Sequence, residues 1–185
     1  MSATVLYMSM SLDGFIAGPN ERTDNPLGDG GERLHEWPFA NAGQPFDEFI
    51  ATGAVVAGRG TIEPAGGWDG DHHDGVPIFI VTRQDPDSVP SQWPLVTYVS
   101  DVESATAQAK QAAGGNNVLV HGAGIAQIAL AAGVLDEIEI HLIPVLLGQG
   151  RRLFDNLDPE HIELERTRVI EGEAGVTHMH YRVKR

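Results

Sequence analysis

The chain has 185 residues, of which 42% are hydrophobic and 21% charged, which fits a single globular domain spanning residues 1–185. Its 12 Lys and Arg stand against 26 Asp and Glu, and the formal charge of −14 argues against nucleic acid as a partner. The absence of cysteine excludes disulfides, thiolate metal sites and a cysteine nucleophile.

The first residues show no targeting pattern. Residues 1–11 lack the basic start of a signal peptide, and Asp13 and Gly14 interrupt their apolar run. No later stretch is apolar over the length that a bilayer requires. We therefore expect a cytoplasmic protein that does not associate with membranes.

The front of the chain alternates short apolar segments, glycines and helical segments. Strands are predicted at residues 4–10, 54–57, 77–82, 95–99 and 117–121. Helices are predicted to end near residue 51 and to cover 102–113 and 125–132, with polar, glycine-rich loops at 19–31 and 66–75. This order predicts an α/β fold with a mostly parallel sheet.

The tail has a different pattern. Residues 138–143, 161–170 and 176–183 are strand candidates, and the last two are joined by a polar turn, so antiparallel C-terminal strands are expected. The tail also carries more apolar residues than a short edge strand usually exposes. They are Leu142, Ile143, Val145, Leu146 and Leu147. We expect a homodimer built on these C-terminal strands.

Three predicted strands end in residues suited to phosphate. One runs into Gly58-Arg59-Gly60-Thr61, a second into Thr82-Arg83, and a third into His121-Gly122-Ala123-Gly124 before a helix. Glycines allow close approach of the backbone, helix amides attract anions, and guanidinium groups pair with phosphate. Because parallel strands place these ends at one edge of the sheet, together they suit an extended dinucleotide.

Several motifs in this order resemble one enzyme family. They are Met10-Ser11-Leu12-Asp13-Gly14-Phe15-Ile16-Ala17-Gly18, Ala57-Gly58-Arg59-Gly60-Thr61, Val120-His121-Gly122-Ala123-Gly124, Leu135-Asp136-Glu137 and the segment 144–154, PVLLGQGRRLF. The chain resembles, over nearly its whole length, the family that unites dihydrofolate reductase with the reductase domain of bacterial riboflavin biosynthesis.

The resemblance implies a three-layer dihydrofolate-reductase-like fold, with a mixed, mostly parallel sheet, helices on both faces and NADPH lying across the strand ends. The residues implied to bind the cofactor are Ala17, Gly18, Gly58, Arg59, Gly60, Thr61, Thr82, Arg83, Gly122, Ala123, Gly124, Ile125 and Ala126. The first two would lie near the nicotinamide, and the stretch 122–126 would hold the pyrophosphate. Arg59 and Arg83 would pair with the 2′-phosphate, which favours NADPH over NADH.

The substrate half of the family pattern is not reproduced. Dihydrofolate reductases carry a pocket acid on the helix before the Gly58 strand, but Glu36, Asp47 and Glu48 do not stand in such a setting. Riboflavin-pathway reductases usually have an acid where this chain has His121. We expect reduction of a C=N or C=O bond in a pterin-like, pyrimidine-like or other small heterocycle, with the proton coming from solvent, Asp13 or His121.

Two other functions fit the same motifs: a non-catalytic nucleotide sensor, which the missing pocket acid favours, and a flavin-binding protein. Trp68 would either cover the substrate or, as we prefer, anchor an exposed loop.

The histidines raise the question of a metal. His72 and His73 are expected to point apart, whereas His178 and His180 share one strand face and His161 could pair with them across the hairpin. A solvated strand face is the preferred interpretation, and no metal is expected.

Overall fold

The computed structural model describes residues 2–39, 43–88, 93–157 and 161–184. Its strands are β1 (Thr4–Ser11), β2 (Phe15–Ala17), β3 (Ala54–Gly58), β4 (Ile78–Val81), β5 (Val96–Val99), β6 (Val118–His121), β7 (Glu137–Ile143), β8 (Arg151–Arg152), β9 (Leu164–Glu171) and β10 (Thr177–Val183). Its α-helices are α1 (Gly43–Ile50), α2 (Arg59–Ile62), α3 (Val102–Ala112) and α4 (Ala123–Ala131). Short 3₁₀ segments cover Gly31–His35, Trp37–Phe39, Gly66–Gly70, Pro86–Ser88 and Glu173–Gly175.

Eight strands form one mixed sheet in the order β5-β4-β3-β6-β1-β7-β10-β9. The first six are parallel to one another, and β10 runs antiparallel to both β7 and β9. The predicted mostly parallel sheet with antiparallel C-terminal strands is confirmed.

Side chains of β1 alternate between the two faces of the sheet because successive residues of a strand point to opposite sides. Leu6 and Met8 belong to the core cluster that includes apolar residues of α3 and α4. Val5 and Tyr7 belong to the cluster on the other face, against which Phe49 of α1 packs. The three-layer arrangement expected from the resemblance is therefore present.

The structure also differs from the sequence-based expectations. Phe15–Ala17 pairs with Arg151–Arg152 as a small antiparallel ribbon that no pattern indicated. Strand β9 begins at Leu164 rather than at residue 161, and α4 begins at Ala123 rather than at residue 125. Both differences concern the ends of elements, which hydrophobic periodicity locates poorly.

The apolar residues assigned to a dimer interface mostly pack within the protomer. Strand β7 lies between β1 and β10, so it is not an edge strand, and Ile143 is 1% exposed. Val145 and Leu147 pack against the cluster that contains Leu34 and Trp37, whereas Leu146 is 69% exposed. The homodimer remains a prediction, but the apolar residues of the tail no longer support it. No helix in the described ranges is long and apolar enough to cross a membrane.

Candidate functional site

The carboxyl ends of the parallel strands meet at one edge of the sheet, and a cavity of about 640 Å³ opens there. We call it the peripheral cavity. Its lining residues are Gly58, Arg59, Gly60, Thr61, Glu63, Val81, Thr82, Arg83, Gln84, Gly124, Ile125, Ile128 and Arg151. The structure thus brings together eight of the thirteen residues implied to bind the cofactor.

The other five lie close to this cavity in different ways. Ala17 and Gly122 line an adjoining space. Ala123 and Ala126 are buried in the first turns of α4, with 4% and 0% exposure, so their side chains face the core. Gly18 packs against the backbone of Asp29, where a Cβ atom would overlap the carbonyl oxygen.

Two side chains hold Arg59 in the wall of the peripheral cavity. Its guanidinium pairs with Glu63 one helical turn later and donates a hydrogen bond to Gln84. The backbone amide of Gln84 in turn donates to the hydroxyl of Thr82, 3.1 Å away. Arg59 is therefore held in place before any ligand arrives, while Arg83 is exposed at the same wall.

The glycines of this cavity leave room for a ligand. A Cβ atom built on Gly58 or Gly124 would meet no atom within 4 Å, so the space above both residues is open. Gly122 differs, because it precedes α4 with φ of 103° and a Cβ there would overlap the hydroxyl of Thr61. Open backbone, a hydroxyl, two guanidinium groups and the start of a nine-residue helix fit the phosphates of a dinucleotide.

Two further cavities adjoin the first through shared lining residues. The central cavity, about 370 Å³, shares Gly60, Thr61 and Arg151 with the peripheral cavity. The aromatic chamber, about 110 Å³, shares Met8, His35 and His121 with the central cavity. The residues that line the aromatic chamber are Tyr7, Met8, Ser9, His35, Trp37, Pro38, Phe46, Phe49, His121 and His141.

His121 stands where the central cavity and the aromatic chamber meet. It ends β6, and its ring lies edge-on to Trp68 and His72, with centroids 5.8 and 5.3 Å away. Among the described residues no group hydrogen-bonds its buried Nδ1. Burial, with a smaller effect of His35 and His73, lowers the pKa of His121 to about 4. The ring is therefore neutral at pH 7, with one nitrogen left for a ligand.

Asp13 anchors the loop at residues 147–148 and does not line the cavities as His121 does. Its carboxylate accepts hydrogen bonds from the Ser11 hydroxyl at 2.6 Å and from the amides of Leu147 and Gly148 at 3.1 and 2.7 Å. These bonds lower the pKa of Asp13 to about 2. It is not among the residues that line the three cavities.

The three acids considered for the pocket also lie elsewhere. Arg168 binds Glu48 through two hydrogen bonds of 2.7 Å, which is the main cause of the lowered pKa of Glu48. Glu36 pairs with Arg33, and Asp47 is exposed. None of the three lines the central cavity or the aromatic chamber, as far as the described residues extend.

Several expectations for the histidines were wrong. His72 and His73 do not point apart, since their Nδ1 atoms are 2.8 Å from each other. His178 does not face solvent: it is 3% exposed, and its Nδ1 lies 2.8 Å from Nδ1 of His141. His178 is buried because Trp37 packs over it and over the neighbouring His141. Among the described residues, no three His, Asp or Glu side chains are grouped to hold a metal.

Two more expectations concern His161 and Trp68. His161 precedes β9 and lies outside the paired part of the hairpin, so it does not join His178 and His180. Trp68 is half-buried and lines the central cavity, which corrects the preferred interpretation of an exposed loop anchor. Its backbone φ is 50°, and glycines on both sides accommodate the ring of Trp93.

Sequence reasoning missed the pair Glu21–Arg151 and most of the chamber wall. Arg151 Nε lies 2.7 Å from Glu21, and both line the central cavity. Their 130-residue separation gives no local signal. Trp37, Phe46 and Phe49 come from segments without any chemical motif, so covariation across homologues would be the signal able to find them.

Comparisons with known proteins agree with this architecture. Residues 3–177 match the family model described as the RibD C-terminal domain. YwjB, an uncharacterised protein of Bacillus subtilis, is 31% identical over 167 residues, covering 85% of each chain.

Three solved structures share the fold. A Shewanella sp. PV-4 structure described as a riboflavin biosynthesis protein has a TM-score of 0.77 at 24% identity, with 99% of each chain covered. The Thermotoga maritima deaminase/5-amino-6-(5-phosphoribosylamino)uracil reductase has a TM-score of 0.66 at 16% identity, and the match covers 99% of this chain and 57% of that longer protein. Enterococcus faecalis dihydrofolate reductase has a TM-score of 0.61 at 16% identity, with 99% and 97% covered. The chain belongs to the RibD C-terminal domain family.

Proposed function

We propose that this protein is an NADPH-dependent reductase that reduces a C=N or C=O bond of a small pyrimidine-type or pterin-like heterocycle. The observation that carries the proposal is that three cavities lie side by side. The phosphate-suited peripheral cavity shares Gly60, Thr61 and Arg151 with the central cavity, and the central cavity shares His121 with the aromatic chamber. Family membership supports it, as does the Enterococcus faecalis dihydrofolate reductase of the same fold, crystallised with NADP(H).

In this proposal the residues of the peripheral cavity hold the cofactor. Arg59 and Arg83 pair with the 2′-phosphate, Thr61 and the amides at the start of α4 bind the pyrophosphate, and Ala17 lies beside the nicotinamide. A bound reduced nicotinamide supplies the hydride that is added to the acceptor carbon. The protein aligns the two carbons and excludes water, and the aromatic walls of the chamber suit both tasks.

In this proposal His121 acts as a hydrogen-bonding group and not as the proton donor. A ring whose pKa is about 4 is almost never an imidazolium at pH 7, so it positions the acceptor heteroatom through Nδ1 rather than delivering a stored proton. Asp13 is ionised and carries no proton to give. The proton therefore comes from solvent through the central cavity.

Cofactor preference tests the proposal. NADPH is expected to bind at least tenfold more tightly than NADH, since a hydrogen bond to a charged group contributes about 1.5–3 kcal/mol. At one hundred times its dissociation constant, a ligand raises the free energy of unfolding by about 2.7 kcal/mol, which a thermal-shift titration detects. Arg83→Ala should reduce the preference, whereas Arg166→Ala, at an exposed arginine of β9, should leave it intact. Equal affinity for both cofactors would remove the 2′-phosphate assignment.

Turnover separates the reductase from the other candidates. Steady loss of NADPH absorbance with a heterocyclic acceptor supports an enzyme. Tight NADPH binding with no turnover on any acceptor would favour a nucleotide sensor, and a yellow purified protein would favour a flavin-binding one.

A further inference from the structure

The walls of the aromatic chamber carry no formal charge. Its ten lining residues combine four aromatic rings, three imidazoles, Met8, Ser9 and Pro38, and none of them, within the described ranges, is Lys, Arg, Asp or Glu. Phe46 and Phe49 stack with centroids 5.9 Å apart, and Tyr7 meets Phe49 edge-on at 6.0 Å. Such walls suit a flat, uncharged ring.

Burial lowers the pKa of all three chamber imidazoles, His35, His121 and His141, which disfavours a positive charge on them. Nδ1 of His141 lies 2.8 Å from Nδ1 of His178, a geometry that requires one nitrogen to donate and the other to accept, so at least one ring is neutral. Trp37 packs on both rings, with centroids 4.3 and 4.8 Å away. Burial, followed by the effect of His178, lowers the pKa of His141 to about 3.

Among the described residues, Nδ1 of His121 is the one fully buried polar side-chain atom of the chamber lining without a hydrogen bond. The indole of Trp37, by contrast, already donates to the Ser9 hydroxyl at 2.8 Å. A buried nitrogen left without a hydrogen bond destabilises the empty site, and a ligand with a complementary heteroatom would remove that cost.

The neighbouring cation is already engaged. Arg151 lines the central cavity and lies 2.7 Å from Glu21, whose side chain is 17% exposed. A phosphate or carboxylate on the acceptor would have to displace Glu21 from Arg151 or remain without a counter-charge. Displacing Glu21 costs more than displacing Glu63 from Arg59, because the Glu63 side chain is 54% exposed and returns to water. The formal charge of −14 adds to the repulsion.

We propose that the acceptor reduced here is a neutral, unphosphorylated six-membered heterocycle that enters the aromatic chamber and hydrogen-bonds Nδ1 of His121. This inference rests on the proposed reductase function and specifies its substrate class. A chamber of about 110 Å³ has room for a single ring, given that a cavity of about 150 Å³ in another protein holds benzene. It sets this protein apart from the reductase named after 5-amino-6-(5-phosphoribosylamino)uracil, whose acceptor carries a phosphate.

Two pairs of ligands that differ in charge test the proposal. Calorimetric titrations with saturating NADP⁺ would compare uracil with orotate, and 5-amino-6-ribosylaminouracil with its 5′-phosphate. The neutral member of each pair is expected to bind at least tenfold more tightly. Equal or tighter binding of the anionic members would overturn the inference, and so would failure of both neutral compounds to bind at millimolar concentration. Failure of NADP⁺ itself to bind would instead count against the proposed function.

Variants of the chamber provide the matched controls. Phe46→Lys places a cation in the chamber wall and should shift the preference of each pair toward the anionic member by at least tenfold. Phe39→Lys, at a phenylalanine that is 89% exposed and outside the chamber lining, should leave the preference unchanged. An equal shift in both variants would mean that the overall field, not the chamber, selects the ligand.

A further variant keeps the test open if Phe46→Lys does not fold. His121→Phe removes Nδ1 while it keeps a ring of similar size. It should weaken the neutral ligands at least fivefold and leave the affinity for NADP⁺ unchanged, and unchanged binding of the neutral ligands would contradict the role of Nδ1.

Discussion

At the residue scale, the neutral state of His121 determines what the site can do. Burial lowers the pKa of His121 below its value in an unfolded chain, so the unfolded state binds a proton that the folded state rejects between pH 6.5 and about 4. The free energy of unfolding is then lost as pH falls through this window. Over part of this pH window Glu139 has the opposite effect on the free energy of unfolding, because burial raises the pKa of its carboxyl to about 7.

Replacing His121 by Phe should therefore reduce the sensitivity of stability to acid. Between pH 7 and pH 5 the variant should lose less free energy of unfolding than the parent protein, by on the order of 1–2 kcal/mol. Urea unfolding at the two pH values measures the difference. His161→Phe, at an exposed histidine outside the cavities, is the control and should follow the parent. The same loss in the parent and in the His121 variant would mean that His121 titrates like a solvated imidazole.

At the element scale, the start of α4 contains two glycines that differ in backbone conformation and in the free space around them. Gly122 has φ of 103° and lies against the Thr61 hydroxyl, whereas Gly124 has an ordinary helical conformation and open space above it. The two glycines are two residues apart, yet a methyl group should have opposite effects on stability at the two positions.

Gly122→Ala should lower the free energy of unfolding by about 1 kcal/mol or more, because the variant must strain its backbone or move Thr61. Gly124→Ala should raise it by up to about 1 kcal/mol, because alanine favours a helix. The Gly124 variant should nevertheless bind NADPH more weakly, since its methyl group enters the peripheral cavity. Urea unfolding and NADPH titration check the two effects, and NADPH binding by Gly124→Ala at the parent affinity would argue against close approach of the cofactor to α4.

The elements themselves were largely predictable, because their signals are local. The β-branched runs of β3 and β6 and the glycines that follow them mark strand ends whatever the rest of the chain does. The ribbon between Phe15–Ala17 and Arg151–Arg152 was not predictable, since it is three residues against two and depends on loops far apart in sequence.

At the scale of the whole molecule, the site divides into a predictable and an unpredictable half. The peripheral cavity is built from strand ends whose motifs adjoin in sequence, such as 58–61 and 82–83, so parallel pairing alone brings them together. The aromatic chamber takes Tyr7 from β1, Trp37 from a 3₁₀ segment, Phe49 from α1 and His141 from β7. Their meeting depends on how α1 and the segment 31–39 pack on the sheet, which no local pattern encodes.

The orientation of the cleft is the central claim, and the dissociation constant of NADPH for two variants tests it most directly. Arg59→Ala combined with Thr61→Ala removes two phosphate partners and should weaken NADPH binding by tens-fold or more, because each hydrogen bond to a charged group contributes about 1.5–3 kcal/mol. His121→Ala should leave the constant within about twofold of the parent while it changes turnover or acceptor affinity. Loss of NADPH binding in His121→Ala, together with parent affinity in the double variant, would contradict the account and reverse the assignment of the cavities.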